Sequence, residues 1–319
     1  MALEQACMEL IPKPWGSTDL LPWSETGHPG VPIGELWFQR CEKHAPEPAL
    51  LLKLLFTQEA LSIQVHPDDA AAHGMGLPRG KTEAWYILSS ASDATVGIGL
   101  KTAVAPEQLR VAIADGSIAE LVAWHKPHAG EVIAVPAGTI HAIGAGLVLA
   151  EIQQRSDTTF RLFDYGRARE LHIEQGVAVA HAGPTKRTVP PRRLSDVRTL
   201  LVANPYFVFE RIDLPAGSIW DLDARCETWL VAISGDAKIG ALQIGVGQGC
   251  FVEAQGVRIA PGEAGLSCLV AYDAAAPSRD LLRRVDGDGM PRFRETVSLP
   301  TGPRQAVVSS PGPSTEARS

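Results

Sequence analysis

A small group of side chains in the first half of the chain has the types and spacing of a metal site. Gln64 and His66 lie two residues apart in a strand-like segment, so alternation places both side chains on one face. Glu83 opens the next strand-like segment, and His141 follows the turn Pro136–Ile140. Two imidazoles and a carboxylate suit Zn²⁺ or Fe²⁺ with coordination positions left open, and Gln64 could add a neutral oxygen.

The residues before His141 form the most specific pattern, G-x5-P-x-G-x2-H. Proline and glycine make a tight turn that delivers the histidine at the start of a strand. The pattern is similar to the second metal motif of the cupins, although Ala145 stands where that motif usually closes with Asn. The first cupin motif is altered, because Gln64 and His66 replace His-x-His and a Gly-rich insertion displaces Glu83.

Four segments, in the same order, resemble type I mannose-6-phosphate isomerase (phosphomannose isomerase) in its short bacterial form, which lacks an extra helical domain. They are QVHPDD (64–69), GKTEAWY (80–86), PAGTIHAIG (136–144) and SDTTFRLFDYGR (156–167). The segments PKPWGSTDL and GELWF near the start also fit. The resemblance is strong over roughly residues 10–180 and weak beyond them.

The resemblance implies a reversible conversion of mannose 6-phosphate to fructose 6-phosphate through a cis-enediol. It implies one divalent metal ion per chain, usually zinc, acting as a Lewis acid at the sugar oxygens. The implied metal ligands are Gln64, His66, Glu83 and His141. Arg161 would be the catalytic arginine that stabilises the developing charge, and Lys81 would bind substrate or assist proton transfer.

Two other functions fit parts of the same pattern. Two His and one carboxylate also form the facial triad of non-haem iron oxygenases, and a cupin can be a non-catalytic sugar-binding protein. Gln64 and the cations Lys81 and Arg161 favour a sugar phosphate over an oxygenase substrate. Strand alternation alone does not say whether Arg161 faces the site or solvent, and the general base stays unassigned.

Several further polar residues have weaker claims to the site. His125 and His128 flank Pro127, which predicts a surface turn in which both are structural or solvated. Asp68 and Asp69 follow Pro67 and could cap a loop or orient His66. The candidates for holding a phosphate are Arg79, Lys101, Arg155 and Arg167, and the sequence does not rank them.

The elements that must position these residues are short strands. The chain of 319 residues contains 30 Gly and 24 Pro, and short apolar stretches alternate with turns. The sequence predicts a mainly β protein of two cupin-type, jelly-roll β barrels with a few short helices. The best helix is Ala105–Ala114, where Pro106 suits the first turn and Gly116 suits the end.

The chain is expected to divide into four parts. Residues 1–180 form the metal-binding catalytic barrel with its N-terminal strands, and 181–204 form a linker or crossing segment. Residues 205–285 form a second barrel, and 286–319 form a Pro/Gly/Ser-rich tail with little packed structure. None of the nine histidines lies beyond His181, so the second barrel is predicted to be metal-free.

Charge and composition indicate which classes of partner and which location to expect. The net charge of −7 disfavours binding to nucleic acid or to an anionic membrane. The start lacks the features of a signal peptide, and five Cys without a CxxC pair predict isolated thiols. We therefore expect a cytoplasmic monomer or weak homo-oligomer whose partner is a small-molecule sugar phosphate.

Overall fold

Short strands joined by glycine and proline turns account for most of the chain in the computed structural model. The structure describes residues 2–25, 30–42, 44–185 and 190–285. They all lie within one compact unit, Met1–Asp288. The predicted tail, 286–319, lies outside the described residues. No helix among those described is long and apolar enough to cross a membrane.

The first part of the described chain contains all four described helices. Its strands are β1 (Ala2–Gln5), β2 (Cys7–Ser17), β3 (Ile33–Gln39), β4 (Leu50–Thr57), β5 (Ile63–Val65), β6 (Glu83–Ser90), β7 (Val96–Leu100), β8 (Val122–His125), β9 (Val132–Val135), β10 (His141–Ile143), β11 (Leu147–Gln154) and β12 (Phe160–Phe163). Its helices are α1 (Asp69–Gly74), α2 (Pro106–Asp115), α3 (Ile118–Leu121) and α4 (Ile173–Val179). The predicted helix is confirmed as α2, with Pro106 in its first turn and Gly116 at its C-cap with a φ of 83°.

The second half is built from strands alone as far as the structure describes it. They are β13 (Arg192–Arg193), β14 (Arg198–Ala203), β15 (Val208–Leu214), β16 (Trp220–Ala224), β17 (Thr228–Ile239), β18 (Leu242–Ile244), β19 (Gly249–Glu253), β20 (Gln255–Tyr272) and β21 (Leu282–Arg284). The prediction of a mainly β protein is therefore confirmed.

The strands pair antiparallel in three sheets. The five-stranded sheet has the order β12-β5-β10-β7-β8, and the six-stranded sheet has the order β2-β3-β4-β11-β6-β9. A ten-stranded sheet follows the path β1-β19-β17-β20-β15-β14-β13, with β16, β18 and β21 attached beside it. The first two sheets hold the predicted metal ligands.

Two apolar layers hold the three sheets together. One joins the six-stranded sheet to the five-stranded sheet through Trp85, Ile87, Val96, Ile98 and Ile143. The other joins the six-stranded sheet to the ten-stranded sheet through Phe38, Leu52, Tyr86, Phe209 and Trp229. Because β6 contributes Trp85 to the first layer and Tyr86 to the second, it is buried on both faces, as a central strand should be.

Two strand pairings cross the boundaries of the sequence-based division. The predicted linker, 181–204, contains β13 and β14, and β14 pairs with β15 from Arg198 to Ala203. Strand β1, assigned to the first domain, pairs with β19 of the ten-stranded sheet. Both pairings join segments that are distant in the chain, which the local turn and charge pattern does not reveal. The division into two domains stays a prediction.

The cysteine prediction is wrong for one pair. Cys7 and Cys41 form a disulfide, whereas Cys226, Cys250 and Cys268 are free as expected. The cause is the pairing of β2 with β3, which sets Cys7 opposite Gln39, two residues before Cys41. Thirty-four residues separate the two cysteines in sequence, so spacing alone gave no sign of their contact.

Candidate metal centre

Three predicted site residues form a row across the five-stranded sheet. His141 of β10 lies directly opposite Gln64 of β5, and Gln64 lies directly opposite Arg161 of β12. Directly opposed residues of antiparallel strands project from the same face of a sheet. The register therefore answers what alternation left open, because Arg161 shares the face of Gln64 and His141.

The Pro-Gly turn positions both histidines. Gly138 has a φ of +83°, a left-handed conformation that favours glycine. Its N–H donates to the carbonyl oxygen of His66 at 2.8 Å, which ties the turn to the end of β5. His141 then opens β10, and its ring centroid lies 4.7 Å from that of His66.

Glu83 reaches both histidines from the six-stranded sheet. Its Oε2 lies 3.4 Å from His66 Nε2, and its Oε1 lies 3.5 Å from His141 Nε2. All three side chains are almost completely buried. His66, Glu83 and His141 thus each direct a metal-ligating atom to one place, within 4.8 Å of one another.

Hydrogen bonds indicate the tautomer of both rings. His66 Nδ1 lies 3.0 Å from the Thr158 carbonyl oxygen, and His141 Nδ1 lies 2.8 Å from that of Thr139. A carbonyl oxygen only accepts, so Nδ1 carries the proton in each ring and Nε2 presents a lone pair toward Glu83. This is the tautomer that a metal ligand requires.

Two converging atoms have no hydrogen-bond partner. His66 Nε2 and Glu83 Oε2 are buried and make no hydrogen bond, although Glu83 Oε2 lies 3.5 Å from the ammonium of Lys81. An unpaired buried polar atom is costly, by about 1–3 kcal/mol. Two such atoms facing each other fit a site for a cation, so the residues present match the metal that the resemblance implies.

The charge states also suit a metal. Burial, together with the positive charge of Lys81, lowers the pKa of His66 to about 3. Burial also lowers the pKa of His141. Burial alone would raise the pKa of Glu83, but the charges of Lys81 and His66 outweigh it and lower that pKa. At neutral pH the group therefore contains two neutral imidazoles and one carboxylate.

Lys81 stands directly beside this group. Its Nζ lies 3.5 Å from Glu83 Oε2, and its side chain is only 6% exposed. Bulk water screens a buried ammonium next to a carboxylate much less than an exposed one. The sequence placed Lys81 next to the ligands, and the structure brings its charge to within contact distance of one.

Gln64 contacts the ring of His141 through its side-chain amide. Its Nε2 lies 3.2 Å from His141 Nε2, while its Oε1 accepts from the Ser62 hydroxyl at 3.1 Å. Rotating an amide by 180° exchanges its oxygen and nitrogen with little change of shape. Gln64 Nε2 can therefore donate to the lone pair of His141, and the rotated amide would instead direct its oxygen toward a metal ion held there.

Arg161 lies opposite Gln64, on the side away from His141. Its Nη1 donates to the Glu170 carbonyl at 2.8 Å, and its Nε is buried without a hydrogen-bond partner. Burial and the charge of Arg169 lower the pKa of Arg161, but a guanidinium remains charged at neutral pH. Arg167 and Arg169 are both held by Asp164, which leaves Arg161 as the one of these three arginines with a free buried N–H.

The weaker candidates have other partners. His125 contacts Glu131 at 3.0 Å, and Asp68 caps α1 by accepting from the Ala71 N–H. Asp69 bonds to Gly80 and does not orient His66. The four phosphate candidates Arg79, Lys101, Arg155 and Arg167 bond to Ala49, Glu120, Gln39 and Asp164, respectively.

A buried charge cluster was missed by the sequence analysis. Lys53 Nζ lies 3.4 Å from Glu35 and 3.3 Å from Glu151, and all three residues are buried in the six-stranded sheet. Glu151 lies opposite both Lys53 and Trp85. Burial and the charge of Glu83 raise the pKa of Glu151. The available signal was Lys53 itself, since a lone charge in an apolar strand requires a buried partner.

The strands make this a mainly β protein. The buried group of two histidines and one carboxylate gives it a candidate metal centre. No model of a protein family matches the chain. It is 37% identical over 209 residues to the mannose-6-phosphate isomerase of Streptococcus mutans, covering 58% of this chain and 66% of that protein. It is 40% identical over 169 residues to mannose-6-phosphate isomerase ManA of Bacillus subtilis, covering 50% and 53%.

Another relative is matched over more of its length. The chain is 30% identical over 232 residues to the putative mannose-6-phosphate isomerase YvyI of Bacillus subtilis, covering 64% of this chain and 70% of that protein. The chain therefore belongs to the mannose-6-phosphate isomerase family. It spans about 66% and 53% of the first two relatives, so their activity is not transferred by identity alone.

Solved structures share the fold. The crystal structure of the mannose 6-phosphate isomerase from Bacillus subtilis superposes with a TM-score of 0.75 at 24% identity, covering 85% of this chain and all of that one. A phosphomannose isomerase from Salmonella typhimurium gives a TM-score of 0.69 at 16% identity, covering 85% and 100%. At these identities the likeness shows the fold.

Proposed function

We propose that the protein interconverts mannose 6-phosphate and fructose 6-phosphate. One observation carries the proposal: His66 Nε2 and Glu83 Oε2, which are buried and make no hydrogen bond, converge with His141 beside the buried cation Lys81. The isomerisation moves a proton between two adjacent carbons while charge develops on a sugar oxygen. A site with cations fixed in a buried setting suits that charge.

The metal ligands we propose are Gln64, His66, Glu83 and His141. A divalent ion held by them would act as a Lewis acid toward the sugar oxygens. Nitrogen and oxygen donors with open positions favour Zn²⁺, one ion per chain. The Nδ1–H bonds to Thr158 and Thr139 hold the two rings in the ligating orientation.

The two cations of the site have different tasks. Lys81 has a compact ammonium with three donors, so it can bind a sugar oxygen or hold a proton at Nζ beside Glu83. Arg161 has a planar fork that stays charged, and one of its buried N–H groups is unpaired. We propose Arg161 as the residue that stabilises the charge of the enediolate.

The rest of the chain supports this centre. Residues 205–285 contain no histidine, and we propose that this second barrel is metal-free and buttresses the first. The shared apolar layer of Tyr86, Phe209 and Trp229 is the contact through which it would do so. We further propose a cytoplasmic location and a monomer or weak homo-oligomer.

The proposal is tested by turnover of the purified protein with mannose 6-phosphate. Fructose 6-phosphate should form when the protein contains zinc, and addition of a chelator should abolish its formation. Consumption of O₂ with a sugar substrate would instead indicate an iron oxygenase. Binding of mannose 6-phosphate without turnover by the metal-loaded protein would indicate a non-catalytic sugar-binding protein.

A further inference from the structure

We propose that Asp69 and Gln154 are positioning residues that fix the backbone of Gly80–Thr82 and thereby place the Lys81 ammonium beside Glu83. The inference rests on the proposed function for its kinetic consequence. Asp69 and Gln154 lie 85 positions apart in the sequence and hydrogen-bond to each other, and neither is among the proposed metal ligands. The starting point is that Lys81 lies just before β6, outside any described strand.

Asp69 holds two groups with one oxygen atom. Its Oδ1 accepts from the Gly80 N–H at 2.7 Å and from Gln154 Nε2 at 3.0 Å. Hydrogen bonds to a carboxylate are about twice as strong as those between neutral groups. Burial alone would raise the pKa of Asp69, but the hydrogen bonds from Gly80, Gln154 and Tyr206 outweigh it and lower that pKa. Asp69 is therefore an anion at neutral pH.

Gln154 holds the other end of the segment. Its side-chain Oε1 accepts from the Thr82 N–H at 2.9 Å, and its backbone N–H donates to the Thr82 carbonyl at 3.1 Å. The amide orientation follows from chemistry, because Nε2 faces the carboxylate of Asp69 and Oε1 faces an N–H. Gln154 lies at the end of the long strand β11, so Thr82 is fixed to a rigid element.

The backbone of Lys81, which lies between Gly80 and Thr82, is also held in place. The Lys81 N–H donates to the Pro67 carbonyl at 3.0 Å. A Cβ added to Gly80 would lie 2.5 Å from the Asp68 carbonyl carbon and 2.6 Å from the Pro67 oxygen, so the chain packs directly on the loop after His66. Three consecutive N–H groups, of Gly80, Lys81 and Thr82, are thus all engaged.

This fixed segment decides where the ammonium lies. A lysine side chain has four rotatable bonds, so a displaced Cα would let Nζ leave its place 3.5 Å from Glu83 Oε2. Thr82 also accepts from the Ala137 N–H in the turn before His141, at 3.2 Å. The same clamp therefore links the segment of Lys81 to the turn that delivers a metal ligand.

The test compares neighbouring aspartates. We expect Asp69→Ala to lower kcat/KM about ten- to hundredfold, since small misplacements of a reacting group have effects of that size. Asp69→Asn, which keeps an acceptor oxygen without the charge, should recover part of the loss. The matched control is Asp68→Ala, which removes only the cap of α1 and should lower Tm while leaving kcat/KM unchanged.

Hydrogen exchange gives a readout that does not need activity. In Asp69→Ala the Gly80 and Thr82 amides should exchange faster than in wild type, and in Asp68→Ala they should not. Unchanged exchange in Asp69→Ala, or an unchanged kcat/KM at wild-type metal content, would overturn the inference. A wild type without turnover would overturn the proposed function instead, and exchange would still decide whether Asp69 fixes this segment.

Discussion

Gln64 and His141 lie directly opposite each other on neighbouring antiparallel strands, with their Nε2 atoms 3.2 Å apart. Arg161 occupies the opposite position on the other side of Gln64. This register brings together residues 64, 141 and 161, which are far apart in the chain, and aligns them with the face that Glu83 approaches.

The first prediction concerns the metal. His141→Ala removes one of the two imidazole ligands and leaves Glu83 and His66 unable to enclose an ion. We expect the purified variant to hold less than a tenth of an equivalent of zinc, because each lost ligand weakens a metal site strongly. Elemental analysis measures this directly.

The control for that variant is His125→Ala. His125 contacts Glu131 and lies outside the ligand group, so its removal should leave the zinc content at one per chain. If His141→Ala binds a full equivalent as tightly as wild type, the ligand assignment is wrong.

The second prediction concerns Lys81. Lys81→Met keeps the length and apolar stem of the side chain but removes the ammonium beside Glu83. We expect zinc to remain and kcat/KM to fall by at least about 10², the usual effect of losing a proton-transfer or charge-stabilising group. Lys101→Met, which removes an ammonium that bonds only to the Glu120 carbonyl among the described contacts, should leave kcat/KM unaltered. Normal turnover in Lys81→Met would exclude Lys81 from the reaction.

The third prediction concerns Arg161. Removing a preorganised donor to the transition state costs about 10²–10³ in rate, so Arg161→Ala should lose kcat by that factor while keeping its zinc and fold. Arg161→Lys should recover only part, because an ammonium does not reproduce the planar fork. Steady-state kinetics and Tm distinguish the alternatives: a lower Tm with wild-type kcat would make Arg161 a structural residue.

The sequence contained the local parts of this fold but not their pairing. The strand over Glu83–Leu88 and the helix at 105–114 follow from alternation, proline and glycine, which act within a few residues. The disulfide of Cys7 with Cys41 depends on strand register, and register is set by contacts between distant segments.

The same limit applied to the site. The types and spacing of the ligands could be predicted, and the face of Arg161 could not, because a strand alternates regardless of which side is buried. The ion-pair partners of Lys53 could not be predicted from the sequence either. Glu35 and Glu151 lie 18 and 98 positions from Lys53 in the sequence and meet it only across β3, β4 and β11.

The fourth prediction concerns acid stability. Burial alone would raise the pKa of Glu35, but the charges of Lys53 and Lys13 outweigh it and lower the pKa to about 2. A depressed carboxyl pKa stabilises the folded protein above its unfolded value of 4.5, and the stabilisation is lost as pH falls toward 2. The free energy of unfolding should therefore fall by up to about 3 kcal/mol from this group between pH 5 and 2.

Glu35→Gln isolates that contribution. The variant should be less stable than wild type at pH 7, and the difference should shrink as pH falls through this window. Urea unfolding at several pH values provides the measurement. A difference that stays constant with pH would mean that the Glu35 carboxylate does not stabilise the fold through Lys53 and Lys13.

The most direct test of the central claim is a zinc titration of the chelator-treated protein with mannose 6-phosphate as substrate. Formation of fructose 6-phosphate should be absent without metal, rise in proportion to the zinc added, and stop rising at one equivalent per chain. Full turnover in metal-free protein, or no turnover at one bound equivalent of zinc, would contradict the assignment of Gln64, His66, Glu83 and His141 as the metal centre of an isomerase.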